Sequence, residues 1–172
     1  MRYEKLKFVD SSSCSSMVQD AEFFASCVYN PVSELLTLND ENLEFNISPH
    51  FHFKELVKTS VTSVTNNLPI SSEQLYNLIF LTYYVLEPIR DVIGAFTPNS
   101  VFRSKYVNMS VAGAFNSKHL YGLAVDVPIC NLSEDVLSKL DLICINLKLF
   151  VIKHPTYYHI DLRNVKLPIY KF

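Results

Sequence analysis

The sequence predicts an α+β domain, with helices first and strands after them. Two observations carry this. An apolar stripe at three- and four-residue steps runs from Leu75 to Ile89 behind a serine cap. Past residue 118 the period drops to two, over residues 119–128 and again over 156–162. At 172 residues, 49% of them hydrophobic and 19% charged, the chain is long and apolar enough to bury a core without disulfide staples.

Taken in order, residues 10–16 form a serine-rich loop. Val18, Ala21, Phe24, Ala25 and Val28 have helical spacing, which Pro31 interrupts. Residues 33–38 are apolar, and Asn39-Asp40-Glu41-Asn42 is a turn cluster. Residues 1–47 read as an N-terminal extension without recognisable chemistry, and residues 48–172 as the functional domain. Phe51-His-Phe-Lys-Glu-Leu-Val gives one or two helical turns. After the loop at Asn66-Asn67-Leu-Pro69, Ser71 and Gln74 stand in capping-box register. Leu75, Leu78, Ile79, Thr82, Val85, Leu86 and Ile89 then mark the core face of a helix that Pro88 bends and Gly94 ends.

Residues 99–108 read as a short strand around Val101 that runs into a loop. In residues 119–128, Gly122, Ala124 and Asp126 share one strand face, and Leu123, Val125 and Val127 the other. Asn131 or Ser133 caps a second helix, with Val136, Leu140, Ile143 and Leu147 as its stripe. In the final strand Tyr157, His159 and Asp161 oppose Tyr158, Ile160 and Leu162.

Several classes are excluded. A net charge of −2 lacks the basic excess of a nucleic-acid binder. No apolar run is long enough to span a bilayer. The first residues lack the apolar core and cleavage site of a secretory leader, so the expectation is a protein made in the cytoplasm that needs separate delivery to any external substrate. Cys14, Cys27, Cys130 and Cys144 form no CxxC pair and read as structural thiols. His50 and His52 have no acidic or cysteine companions and read as packed or surface histidines.

Chemistry concentrates near His119. Two of the chain's three glycines, Gly113 and Gly122, flank it, where a backbone that uses glycine so rarely needs it for geometry. His119, Asp126 and His159 form a set of two imidazoles and one carboxylate, which zinc accepts while keeping a fourth position open. Arg103 is a surface ion-pair partner or a clamp for a substrate carboxylate.

Ser117-x-His119-x-x-Gly122-x-Ala124-x-Asp126 resembles the first metal motif of the zinc D-Ala-D-Ala carboxypeptidase family. Asn99-Ser-Val-Phe-Arg103 resembles that family's Ser-Gly-Tyr-Arg segment, and Leu86-Glu-Pro-Ile-Arg-Asp-Val-Ile-Gly94 the helix before it. Phe51-x-Phe-Lys-Glu-Leu is similar to the helix that opens the phage-type branch. Tyr157-Tyr-His159-Ile resembles the second metal motif. The resemblance spans about residues 48–162. It implies a small antiparallel sheet carrying zinc, backed by helices. It implies zinc ligation by His119, Asp126 and His159, with Ser117 beside the metal and Arg103 on the substrate, a peptidoglycan stem peptide. Many members place a glutamate, the general base, three residues before the second motif's histidine; here that position is Thr156. His154 and Asp161 are the substitute bases, with Asp161 alternatively orienting a ligand. Glu134 and Asp135 are further carboxylates to place. Three readings follow: a phage-type carboxypeptidase or endopeptidase of the cell wall, a non-catalytic zinc module of the same fold that binds peptidoglycan or joins a virion, or a plain structural domain without metal in which these residues are hydrogen-bonded structural groups.

Overall fold

The computed structural model describes residues 46–62 and 67–167. The expected serine-rich loop, helix and turn cluster in the first 45 residues lie outside them.

The chain enters through helix α1 (Phe53–Val57), whose N-cap His52 and Glu55 hold each other's backbone. Phe51 and Phe53 are fully buried and anchor it. Helix α2 (Ser72–Leu81) starts where the cap predicts, with Ser71 accepting from the Gln74 amide. It widens into a π turn (Thr82–Leu86) and continues as α3 (Glu87–Ile93). Proline has no amide hydrogen, so Pro88 cannot close an ordinary turn, and the widened turn lies immediately before it. All seven residues of the predicted stripe are buried. Burying a leucine or isoleucine of this kind contributes about 1.5–3 kcal/mol. Gly94 ends the helix with φ +82°.

Residues 99–103 are not a strand. Ser100 makes an isolated antiparallel bridge to Asp126. Ser104 then caps a helix that the polar sequence concealed, α4 (Lys105–Ser110). The expected strand over 119–128 is shorter than its alternation suggested. A 3-10 turn (Lys118–Tyr121) precedes Gly122, and β1 covers Ala124–Pro128.

Ser133, rather than Asn131, caps α5 (Glu134–Asn146). This helix ends in a Schellman arrangement: the Leu149 amide bonds the Cys144 carbonyl and the Lys148 amide bonds that of Ile145. Lys148 takes the left-handed position, φ +57°, where glycine is usual. Strand β2 (Phe150–Lys153), unassigned from sequence, begins directly after this stop. Strand β3 (Tyr157–Asp161) follows by a hairpin.

The sheet has the order β1-β3-β2 and is antiparallel throughout, so the α+β expectation with a small antiparallel sheet holds. Val125, Val127, Tyr158 and Ile160 fill its core face together with Leu78, Leu81, Leu86 and Leu140 from the helices. The opposite face carries Asp126, His159 and Asp161. No helix among the described residues is long and apolar enough to cross a membrane.

Candidate metal centre

Strand register brings the first two polar groups together. Asp126 on β1 stands directly opposite His159 on β3, and side chains so placed are close neighbours. His119 arrives from the 3-10 turn. Two amides of α2 clamp that turn: Gln74 Nε2 donates to the Leu120 carbonyl at 2.9 Å and Asn77 Nδ2 to that of Tyr121 at 3.0 Å. Gly122 makes this approach possible. Its φ is +70°, and a Cβ there would lie 2.8 Å from the Gln74 carbonyl oxygen.

Three atoms then converge. His159 Nδ1 lies 2.9 Å from Asp126 Oδ1 and 3.2 Å from His119 Nε2, which is itself 3.3 Å from the same carboxylate oxygen. Four ligands at zinc's usual ~2.0–2.1 Å in a tetrahedron are separated by about 3.3 Å. The triangle therefore has the edges of a tetrahedral site with one corner open.

The hydrogen-bond partners fix the protons. His119 Nδ1 donates to the Val101 carbonyl at 2.6 Å, which leaves a lone pair on Nε2. His159 Nε2 faces Asp161 Oδ2 at 3.3 Å, which leaves a lone pair on Nδ1. Two lone pairs and a carboxylate oxygen thus face one another in a largely buried place. Such a set repels itself unless a cation or proton sits among it. Burial acts against the imidazolium of metal-free His159, but its bonds to Asp126 and Asp161 outweigh that and push its pKa up to about 9. Burial likewise favours the neutral acid at Asp126, yet the bond from protonated His159 and the charge of Arg103 hold it well below the usual carboxylate range.

A pH dependence follows. Metal must displace the proton on His159. Below about pH 9 each metal bound should release close to one proton, and affinity should rise about tenfold per pH unit from 7 to 9, then level off. The raised pKa works the other way on the metal-free fold. There His159 contributes stability in full below its ordinary 6.5 and loses it as pH climbs through about 9. Calorimetric titration in buffers of different ionisation enthalpy measures the proton count. An affinity flat across this window would contradict the assignment.

Around the triangle lies a cavity of about 500 Å³. Arg103, Ser117, Lys118, His154, Tyr157 and Arg163 line it beside the three convergent residues. Arg103 Nη2 donates to Asp126 Oδ2 at 2.5 Å and Nε to Ser100 Oγ at 2.7 Å. The guanidinium is thus pinned beside the metal-facing carboxylate, and among the described residues Nη1 has no partner. Ser117 sits at the head of the 3-10 turn. His154 lies in the β2–β3 turn, its ring stacked on Tyr157 at 4.3 Å. Asp161 is fully buried, and Arg163 binds both its oxygens.

Other residues are kept away. Thr156 is exposed, and its carbonyl accepts from the Ile129 amide. Glu134 and Asp135 stand exposed at the head of α5, where Asp135 pairs with Lys139 at 2.7 Å. His50 bonds the buried Glu87 at 2.7 Å while His52 caps α1, so the two do not form a shared site. Among the described residues, His119, Asp126 and His159 are the one group of three or more potential ligands close enough to hold a metal.

A profile of the Peptidase M15 family matches residues 49–161. The chain belongs to the peptidase M15 family. No curated protein matches it. M15 peptidases are zinc-dependent metallopeptidases, and the lone-pair triangle is where this chain's donor set fits zinc. Two supports of the M15 site escaped the sequence. Arg163 had a faint signal, an Asp-x-Arg pair straight after a strand histidine. Gln74 had none, since its bond to the 3-10 turn spans 46 residues.

Proposed function

We propose that this M15 chain is a zinc-dependent peptidase that hydrolyses peptidoglycan stem peptides or their cross-links, as a D,D-carboxypeptidase or an endopeptidase. The observation that carries the reading is the convergence of two imidazole lone pairs and one carboxylate oxygen at the floor of an open cavity. His119, Asp126 and His159 are the proposed zinc ligands. Residues 48–172 are the proposed catalytic unit, with residues 1–47 as an extension of separate role. The similarity of Phe51-x-Phe-Lys-Glu-Leu to the phage-type branch supports a phage or prophage product, brought to the bacterial cell wall by lysis or a virion.

Zinc bound there supplies Lewis acidity, acidifying a water and polarising the scissile carbonyl. The chain's own residues do the rest. Arg103 holds the Asp126 carboxylate in place, and Nη1 is the donor that remains for a substrate carbonyl or carboxylate. Ser117 and Tyr157 line the cavity walls. Of the two substitute bases, Asp161 has both oxygens bound by Arg163 and faces the far nitrogen of His159, which suits an orienting role. His154 opens onto the cavity, and its imidazole can take a proton on one nitrogen and return it. We therefore give that role to His154.

Thr156 supports a second reading, a zinc-containing module that binds peptidoglycan or joins a virion without turnover. Incubation with cross-linked muropeptides separates the two. The enzyme reading expects cleavage that a chelator abolishes and added zinc restores, with His154→Ala lowering kcat by ~10²–10⁴. Zinc-loaded protein that binds muropeptides and leaves them intact would establish the module instead.

A further inference from the structure

We propose that Arg163 is a positioning residue for the metal centre: it fixes Asp161, and through Asp161 the ring of His159. This rests on the zinc reading above and adds to it a residue that touches neither metal nor ligand.

His159 and Asp161 are two apart on β3 and share its site face. Residues so spaced are normally ~7 Å apart, yet His159 Nε2 and Asp161 Oδ2 come within 3.3 Å. The imidazole therefore leans along its own strand, Nδ1 toward Asp126 and Nε2 toward Asp161. That lean needs a carboxylate that does not move. Asp161 is fully buried, so its charge requires partners in the protein.

Arg163 supplies nearly all of them. Its amide donates to Oδ1 at 2.9 Å, Nε lies 2.9 Å from Oδ1 and 3.0 Å from Oδ2, and Nη2 lies 2.6 Å from Oδ2. Phe150, directly opposite Asp161 on β2, gives the guanidinium its platform, with Cζ 3.6 Å from the ring centroid. A turn closed by the bond from the Val165 amide to the Leu162 carbonyl brings Arg163 back over the sheet. The carboxylate is thus gripped on one edge and leaves Oδ2 facing His159. That fixes Nε2 as the protonated nitrogen and Nδ1 as the free lone pair. Lysine offers charge without the planar fork and cannot reproduce this grip.

The test uses the full chain, with zinc affinity read by competition against a chromophoric chelator and ligand geometry read from the visible absorption of the cobalt(II)-substituted protein. Arg163→Ala is expected to weaken zinc binding ~10–100-fold, the usual effect of losing a partner behind a metal-bound histidine. Its cobalt bands should shift. Arg163→Lys should fall between Ala and wild type in affinity. Zinc affinity within threefold of wild type and an unchanged cobalt spectrum would overturn the proposal, and a lowered melting temperature alongside them would mark the pair as a staple for the end of β3. Should Arg163→Ala fail to fold, Phe150→Leu removes only the platform. A threefold or greater loss of zinc affinity then supports the role, and an unaltered affinity and spectrum overturn it. A wild-type chain that binds neither metal fails the zinc reading itself, whereas equal binding by wild type and Arg163→Ala fails only the positioning role.

Discussion

Replacing His119 by alanine is expected to strip the protein of its metal. Purified wild-type protein should carry about one zinc per chain, and the variant close to none by elemental analysis. Structural zinc binding is worth ~10–16 kcal/mol over a full ligand set. Losing one of three protein ligands should thus cost several kcal/mol, or roughly 10³-fold or more in affinity. The variant also empties a site whose side chain is about 1% exposed and leaves the Val101 carbonyl without its partner. That adds about 1–3 kcal/mol of destabilisation. Asp126→Asn separates metal loss from unfolding. It keeps the side chain's size while replacing a charged ligand oxygen, so it should lose zinc and keep its fold. Wild-type protein purified without zinc and unable to take it up would sink both the enzyme and the module.

Gly122→Ala should cause the second large effect, on the fold first and the metal second. A left-handed alanine costs ~1–2 kcal/mol. The added Cβ would also meet the Gln74 carbonyl oxygen at 2.8 Å and the Leu78 amide nitrogen at 3.2 Å. Both are helix backbone, which cannot swing away as a flexible side chain would. The 3-10 turn must lift from α2 and weaken the clamps from Gln74 and Asn77. A total of roughly 2–4 kcal/mol is expected, a melting temperature lower by roughly 5–12 °C for a chain of this size. His119 sits in the turn that moves, so zinc affinity should fall too. Gly94→Ala is the comparison: φ is also positive there, at +82°, but nothing lies within 4 Å of the added carbon. It should cost only the conformational part. That part is itself large at Gly94, whose φ +82° and ψ −169° lie in a region almost reserved to glycine, so zinc affinity is the discriminating readout: an equal loss of it in the two variants would remove the close approach from the account.

Much of this was legible in the chain. The stripe from Leu75 to Ile89 names a core helix because six apolar positions and Thr82 at helical spacing have no other consistent reading. The alternation of Tyr158, Ile160 and Leu162 against Tyr157, His159 and Asp161 names the inward and outward faces of β3. His119 stood out because glycine is rare here and gathers around it. Other parts were hidden for definite reasons. The stop between α5 and β2 uses Lys148 in a conformation that glycine normally marks. Helix α4 has a cap but no apolar stripe beyond Val107. The strand at 119–128 begins late because period-two alternation continues through a glycine that is in fact a left-handed turn.

By itself, the sequence determined the α+β class and the core faces, because these follow from local periodicity, and it singled out the three convergent residues by residue type together with the resemblance of their motifs. Only the tertiary structure decided which atoms of those residues meet and what holds them. The register that sets Asp126 opposite His159, the amides of α2 across the 3-10 turn, and the grip of Arg163 on Asp161 are relations of strand pairing and side-chain reach. A chain carries no local mark of such relations, since they join groups that approach only after the helices and sheet have packed.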